Sequence, residues 1–162
     1  MMYEAYWKRV GEIFAEDPGM VAHTERVLAL ARHIAREMAI PEREQRIVEL
    51  SALLHDVGIV AAQRKYGSRE GKYQHLEGPP VARKILEGMG EEREIAERVL
   101  FIVGHHHDFS AIDGMDFQIL VEADLLVNAK EGTVSREDFA VLVDRVFITP
   151  VGKRLAREFL DA

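Results

Sequence analysis

The sequence predicts an all-α fold, a compact single-domain bundle of about seven to eight helices. Apolar residues recur at the three-and-four spacing of a helical face along almost the whole chain, and no segment shows the period-two alternation of a half-buried strand. No stretch rich in Pro, Gly or Ser divides the 162 residues, a length that suits one domain. We therefore expect a single domain over residues 1–162, with a core at about 20–130 and flanking terminal helices.

Individual helices follow from these apolar stripes and from residues that start or stop a helix. Pro41 suits the first turn of a helix, and Ser135 followed by Asp138 resembles a capping box. The glycine-rich segment 57–78 is expected to be irregular, a short helix at most and then a loop, before Pro79 opens the next helix. The predicted helices, with ends good to about two to four residues, are 3–14, 20–38, 41–54, 79–88, 91–106, 115–129, 135–147 and 149–160.

Composition and charge exclude several classes of function. The chain has no cysteine, so disulfides, thiolate metal sites and cysteine nucleophiles are excluded. A net charge of −7 argues against binding to a nucleic acid polymer or to an anionic membrane surface. The charged N-terminal segment lacks the apolar core of a signal peptide, and no apolar run approaches the ~20 residues of a membrane span. We expect a cytoplasmic protein.

Potential metal-binding residues interrupt the apolar stripes of four predicted helices. These are His23, His55, His106 and Asp124, and Asp56 directly follows the second of them. A carboxylate on a core-facing stripe is costly unless it is paired or coordinates a metal. A lone buried histidine is usually only a hydrogen-bonded core residue, and a lone aspartate is as often a cap or a salt-bridge partner. One shared metal centre would explain the whole set.

Four of these residues also resemble the pattern of a known family. His23, the pair His55-Asp56 and Asp124 are similar to the order His…His-Asp…Asp that defines the HD superfamily of metal-dependent phosphohydrolases. The surrounding segments, HTERVLALARHIA, ELSALLHDVG and ILVEADLLVNA, resemble that family too, and the resemblance runs to Asn128. It implies an HD-domain fold and a metal site on these four residues, with His55 and Asp56 as the catalytic residues.

A finer resemblance is to HD-GYP-type domains, which bind two or more metals. His75 precedes a helix as the extra histidine of those domains does, and His105 with His106 follows a helix as their tandem histidines do. The resemblance implies a binuclear metal site with the following ligands: His23, His55, Asp56, His75, His105, His106 and Asp124.

Two features of this extended match stay open or depart from the pattern. The histidine run has a third member, so the tandem pair can also be the second and third of the run. We otherwise expect His107, Glu77 and Asn128 to orient ligands or to face the substrate. Ile59 stands where HD-GYP domains have a lysine, and the Gly-Tyr-Pro signature is absent. A cyclic dinucleotide phosphodiesterase is therefore not favoured.

The reaction implied by the resemblance is phosphate ester hydrolysis. Imidazole with carboxylate suits one or two divalent transition metals (Fe, Mn, Zn, Ni or Co), and a hydroxide that bridges two metals would attack phosphorus. The enzyme would be a phosphomonoesterase, phosphodiesterase or nucleotide pyrophosphohydrolase on a small phosphorylated substrate, with a nucleotide favoured and a homodimer left open. Arg64, Lys65, Arg69 and Lys72 are expected to bind its phosphates. Activity should fall below about pH 6, as the histidines protonate.

Two other functions compete with this interpretation. Some HD-fold proteins are di-iron oxygenases with nearly the same ligand set, so iron redox chemistry with oxygen is an alternative. A degenerate, non-catalytic HD sensor module is the other. The full set of costly inward ligands argues against the sensor.

Overall fold

The structure, a computed structural model, describes residues 3–162, so the domain boundary predicted at residue 1 lies outside the described residues. The described range is all-helical, as predicted, and none of its helices is both long and apolar enough to cross a bilayer. Its nine α-helices and one short 3₁₀ helix are, in order, α1 (Glu4–Ile13), α2 (Pro18–Glu37), α3 (Glu42–Leu54), α4 (Ile59–Tyr66), α5 (Gly71–Gly88), α6 (Arg93–His105), the 3₁₀ helix (Phe109–Ala111), α7 (Met115–Glu131), α8 (Arg136–Val146) and α9 (Pro150–Asp161).

The segment 57–78 is where the structure differs from the prediction. It forms α4 and the first part of α5, which accounts for the additional helix, and α5 begins at Gly71 rather than at Pro79. Pro79 and Pro80 lie inside α5 and withhold two backbone donors from its hydrogen-bond ladder. Packing of α5 against α4 on one side and α6 on the other compensates for this loss. Sequence patterns favoured a helix start at the prolines because Pro usually occupies a first turn.

The predicted cap of α8 is confirmed, and a buried carboxylate joins the connection between α8 and α9 to the core. Ser135 Oγ accepts a hydrogen bond from the backbone N–H of Asp138 at 3.1 Å, as a capping residue does. Glu122 in α7 is fully buried, and its Oε2 accepts hydrogen bonds from the backbone N–H groups of Ile148 and Thr149 at 2.9 and 3.1 Å. This carboxylate therefore has a structural role in fixing the α8–α9 connection.

Helix α7 is the centre of the bundle. Every residue from Asp116 to Val127 is buried, and the helix packs against α2, α3, α8 and α9. A helix that is buried around its circumference positions its side chains rigidly. Asp124, near the middle of α7, is thus held facing the adjoining α2 and α3, which carry the first predicted ligands.

Candidate metal centre

Four of the predicted ligands meet in one buried cluster. His23 lies in the second turn of α2, His55 and Asp56 directly follow the last residue of α3, and Asp124 lies in α7. All four are buried, and each offers a ligand atom within 4.8 Å of those of the other three. Three separate segments of the chain therefore converge with two nitrogen and two oxygen donors. We refer to these four residues as the first cluster.

The histidine nitrogens of the first cluster face its carboxylates at close range. His55 Nε2 lies 3.1 Å from Asp56 Oδ2 and 3.3 Å from Asp124 Oδ1. His23 Nε2 lies 3.3 Å from Asp56 Oδ2 and 3.2 Å from Asp124 Oδ1. The same two carboxylate oxygens thus point at both imidazoles, and the four side chains surround a common point.

The donor set fits a divalent metal. His55 Nδ1 donates to the carbonyl oxygen of Ala52 at 2.8 Å, which leaves the lone pair of Nε2 directed into the first cluster. Nε2 is buried and makes no hydrogen bond there, and the same is true of His106 Nε2. A lone pair that faces carboxylate oxygens in a buried site is stable only when a cation lies between them. These residues therefore match a metal site, in which imidazole and carboxylate are the expected ligands.

In the metal-free protein a proton takes the place of that cation. Burial lowers the pKa of His23, but hydrogen bonds to Asp124 and Asp56 outweigh it and raise the pKa to about 10. Burial likewise opposes the charge on His55, and the carboxylates of Asp56 and Asp124 raise its pKa well above the ordinary value. The histidines in turn hold the pKa values of Asp56 and Asp124 low despite burial. His23 is therefore cationic at neutral pH when no metal is bound.

Metal binding to the first cluster should consequently release protons. His23 must become neutral to coordinate a metal, so we expect about one proton per metal to be released between about pH 7 and pH 9, with affinity rising about tenfold per pH unit. Calorimetric titration in buffers of different ionisation enthalpy measures this. A metal affinity that does not change over this pH range would contradict the assignment.

The raised pKa of His23 also affects the stability of the metal-free protein. The ion pairs of protonated His23 stabilise the fold fully below pH 6.5, and this contribution is lost as the pH rises through 10.

A second group of possible ligands shares Asp56 with the first cluster. Asp56, His106 and His107 offer ligand atoms within 4.8 Å of one another. His106 Nε2 lies 3.6 Å from Asp56 Oδ1, the oxygen that does not face His23 and His55. Asp56 therefore directs one oxygen to each group, an arrangement suited to bridging two metals. We refer to Asp56, His106 and His107 as the second cluster.

The second cluster differs from the predicted tandem pair. We expected His105 and His106 as ligands, but the structure directs His105 away: its Nδ1 donates to the carbonyl oxygen of Phe101 at 2.7 Å, and its ring stacks on that phenylalanine. His107 takes the place near Asp56 instead. Helix α6 ends at His105, and His106 and His107 lie in the turn that follows it.

His75 lies beside the second cluster but outside it. Its ring centroid is 5.5 Å from that of His106 and 5.5 Å from that of His107, and its Nε2 accepts a hydrogen bond from the backbone N–H of His107 at 3.1 Å. Burial and the neighbouring His106 and His105 lower the pKa of His75 to about 4. His75 is therefore neutral at physiological pH, the form that a metal requires.

The residues expected to orient ligands have different positions. Asn128 Nδ2 donates to Asp124 Oδ1 at 3.3 Å, so it contacts a predicted ligand. Glu77 instead faces Lys65 Nζ at 3.7 Å. The sequence analysis missed Glu131, whose Oε1 lies 2.7 Å from His23 Nδ1. Its spacing of seven residues from Asp124 places both on one face of α7, a signal that was available in the sequence.

A cavity of about 780 Å³ opens onto the first cluster. His23, Asp56 and Asp124 form part of its wall, and the other residues that line it are Gly19, Met20, Arg26, Ile59, Gln74, His107, Asn128, Lys130, Glu131 and Thr133. Substrate therefore has a route to the two carboxylates. The cationic side chains in this wall are Arg26 and Lys130, neither of which the sequence analysis singled out.

The cations predicted to bind phosphate do not line this cavity. Arg64, Lys65, Arg69 and Lys72 are all exposed and lie elsewhere. Tyr66 and Tyr73 stack on each other at 4.3 Å between ring centroids, and two of the lysines lie over these rings. Arg64 and Lys65 lie on α4, Lys72 lies on α5 and Arg69 lies in the short connection between these helices, and all four side chains turn outward. Arg26 and Lys130 replace them as the cations near the site.

Fold and site together define an all-helical protein with a buried histidine–aspartate centre able to hold a metal. The family model of the HD domain matches residues 20–145, and the chain belongs to the HD-domain family. A solved structure described as a predicted HD superfamily hydrolase, from an uncultured Thermotogales bacterium, matches with a TM-score of 0.68 over 94% of this chain and 82% of that one, at 22% identity. At this identity the likeness shows the fold alone. No curated protein gives a significant match.

Proposed function

We propose that this protein is a metal-dependent phosphohydrolase that acts on a phosphate ester or nucleotide. The observation that carries the proposal is the position of Asp56, which belongs to both clusters. Its Oδ2 atom faces His55 of the first cluster, and its Oδ1 atom faces His106 of the second. Phosphoryl transfer to water needs groups that activate the water and neutralise the phosphoryl oxygens. A pair of metals that shares one carboxylate is suited to both tasks.

The protein's own residues have separate tasks in this proposal. The first cluster would hold one metal, and the second cluster, with His75 beside it, would hold another. When bound, the metals would supply a water of lowered pKa and positive charge for the phosphoryl group. The backbone carbonyl bonded to His55 Nδ1 fixes which ring nitrogen remains available. Asn128 holds Asp124 Oδ1, and the surrounding core keeps the ligands rigid.

Phosphate binding is assigned to the cavity wall rather than to the basic segment of α4 and α5. Lys130 lines the cavity and makes no ion pair among residues 3–162, so its charge is available to a substrate anion. His107 and Gln74 face the same space, and His107 Nε2 lies 3.2 Å from Gln74 Oε1. The predicted partner is thus a small phosphorylated molecule.

Metal analysis joined to a substrate screen tests the proposal. The chelated protein should release phosphate from nucleotides or from p-nitrophenyl esters only after Mn²⁺, Fe²⁺, Co²⁺, Ni²⁺ or Zn²⁺ is added back. Oxygen uptake on substrate addition, with iron that changes oxidation state, would identify an oxygenase instead. Metal binding without turnover of any phosphate ester would contradict the hydrolase and favour a sensor.

A further inference from the structure

His23 differs from His55, His105 and His106 in the partner of its Nδ1 atom. His55, His105 and His106 each donate through Nδ1 to a backbone carbonyl oxygen of their own helix or of the turn that ends it. His23 instead faces a carboxylate from a distant part of the chain, with its Nδ1 2.7 Å from Glu131 Oε1. Of the two histidines of the first cluster, His23 is therefore oriented by a side chain and His55 by the backbone.

Glu131 lies on the side of His23 that faces away from the first cluster. The Nε2 atom of the same ring faces Asp124 and Asp56 at 3.2 and 3.3 Å. Because Nδ1 and Nε2 lie on different sides of an imidazole, Glu131 and those carboxylates contact the ring at separate atoms. A carboxylate that accepts from Nδ1–H leaves the Nε2 lone pair of the neutral ring directed at the first cluster.

Arg26 holds Glu131 in this position. Its Nη1 lies 2.6 Å from Glu131 Oε2, so the two oxygens of Glu131 have different partners, His23 on one side and Arg26 on the other. Arg26 lies three residues after His23 on α2, on the same face of that helix. The ion pair fixes the rotamer of the carboxylate, because a guanidinium is geometrically rigid.

The location of Glu131 on its own helix is unfavourable for a negative charge. It is the last residue of α7, where the partial negative charge of the helix C-terminus repels a carboxylate and favours a cation. Lys130, the preceding residue, has the charge that suits this position. A carboxylate in this place is more readily explained by its contact with His23 than by any benefit to α7.

We propose that Glu131 is the positioning residue for His23 and that Arg26 holds Glu131 in place. Glu131 fixes the tautomer and the ring orientation that present Nε2 to a metal, and its charge makes His23 a stronger donor. The inference rests on the metal centre proposed above. It goes beyond the ligand set, because Glu131 contributes to metal binding without touching the metal.

Metal affinity of Glu131 variants tests this role. Glu131→Ala should weaken Co²⁺ binding about 10- to 100-fold, as loss of a partner behind a ligating histidine typically does. Glu131→Gln should recover part of this loss, since an amide oxygen still accepts from Nδ1–H but carries no charge. The readouts are Co²⁺ dissociation constants from competition with a chelator and the visible absorption spectrum of bound Co²⁺, which reports ligand geometry. Glu25→Gln, an exposed substitution on α2, is the matched control and should bind as the wild type does.

Thermal unfolding in excess chelator measures the stability of each variant without metal, and this separates a positioning role from a merely structural one. If Glu131→Ala binds Co²⁺ with the affinity and spectrum of the wild type, the positioning role is wrong, even where the variant is less stable than the wild type. If that variant does not fold, the comparison of Glu131→Gln with the wild type decides, since equal affinities and spectra there would also overturn the proposal. If the wild type itself binds no Co²⁺, the metal centre is wrong and the role of Glu131 fails with it.

Discussion

Replacing Asp56 with asparagine is expected to abolish metal-dependent hydrolysis while leaving the fold intact. Asp56 is buried and lies within 4 Å of three imidazoles, with His55 and His23 near one oxygen and His106 near the other. Asparagine keeps the size of the side chain but loses the charge and one oxygen donor. Because this carboxylate belongs to both clusters, a single substitution would damage both candidate metal sites.

The expected loss is large because metal ions supply most of the charge stabilisation in such a reaction. A deficit of about 4 kcal/mol in transition-state stabilisation corresponds to a fall of about 10³-fold in kcat/KM. Bound metal per chain, from elemental analysis after desalting, should fall with it. Far-UV circular dichroism should still show the helical signal of the wild type.

Glu49→Gln is the matched control for this experiment. Glu49 is as buried as Asp56 and also has bonded partners, since its carboxylate accepts from the Tyr3 hydroxyl and from Arg32 at 2.7 Å. It lies outside both clusters and outside the cavity wall. This variant should lose stability but keep its metal and its turnover number. Full metal content and full activity in Asp56→Asn would mean that the metal centre is wrongly placed.

The parts of the fold that were predictable are those with strong local signals. The helices on either side of 57–78 lie within about two residues of their predicted ends, because an amphipathic stripe and a cap are both encoded within a few neighbouring residues. Segment 57–78 was not predictable in the same way. Its helices depend on the close approach of α4, α5 and α6, and glycines in a sequence do not reveal whether they serve a loop or a contact.

The site shows the same division between local and tertiary information. His23, His55 and Asp124 could be grouped from sequence because each breaks an apolar helical stripe, and Asp56 joins them through its place after His55 and the family resemblance. The structure brings all four together. The exchange of His105 for His107 could not be derived, since it depends on how the chain leaves α6.

The cavity cations were missed for a different reason. Proximity in sequence to a ligand suggested the basic segment 64–72, but a helix turns successive side chains to different sides. Arg26 and Lys130 are the cations that face the cavity, because each lies on a helix that already carries a residue of the first cluster.

Gly58, two residues after Asp56, has a packing role that the sequence analysis did not identify. A Cβ atom at Gly58 would lie 2.5 Å from Gly78 N, 2.6 Å from Gly78 Cα and 3.0 Å from the carbonyl oxygen of Gln74. All three are backbone atoms of α5, so no change of rotamer can relieve the overlap. The glycine allows the start of α4 to touch α5, and α5 carries His75 and Gln74 to the site.

Gly58→Ala should therefore separate α4 from α5 and damage the site together with the fold. Overpacking of this kind costs about 1–3 kcal/mol, and a backbone clash belongs at the upper end of that range. Since His75 moves with α5, a shift of about 1 Å relative to Asp56 should also lower kcat/KM by about 10²-fold. Chemical denaturation measures the stability, and metal-dependent turnover at a temperature where the variant stays folded measures the second effect.

Two glycines of α5 provide the comparison. At Gly88 an added Cβ would meet no atom within 4 Å, so Gly88→Ala should stabilise the helix by about 0.5–1 kcal/mol and leave turnover unchanged. At Gly78 the nearest atom to an added Cβ is a side-chain atom, Val103 Cγ1 at 3.0 Å, which can move. The loss in Gly78→Ala should therefore be smaller than in Gly58→Ala. Equal stability of Gly58→Ala and Gly88→Ala would show that α4 and α5 do not meet through Gly58. The overlap with the backbone of α5 is the reason why the first substitution is expected to lower the stability and the second to raise it.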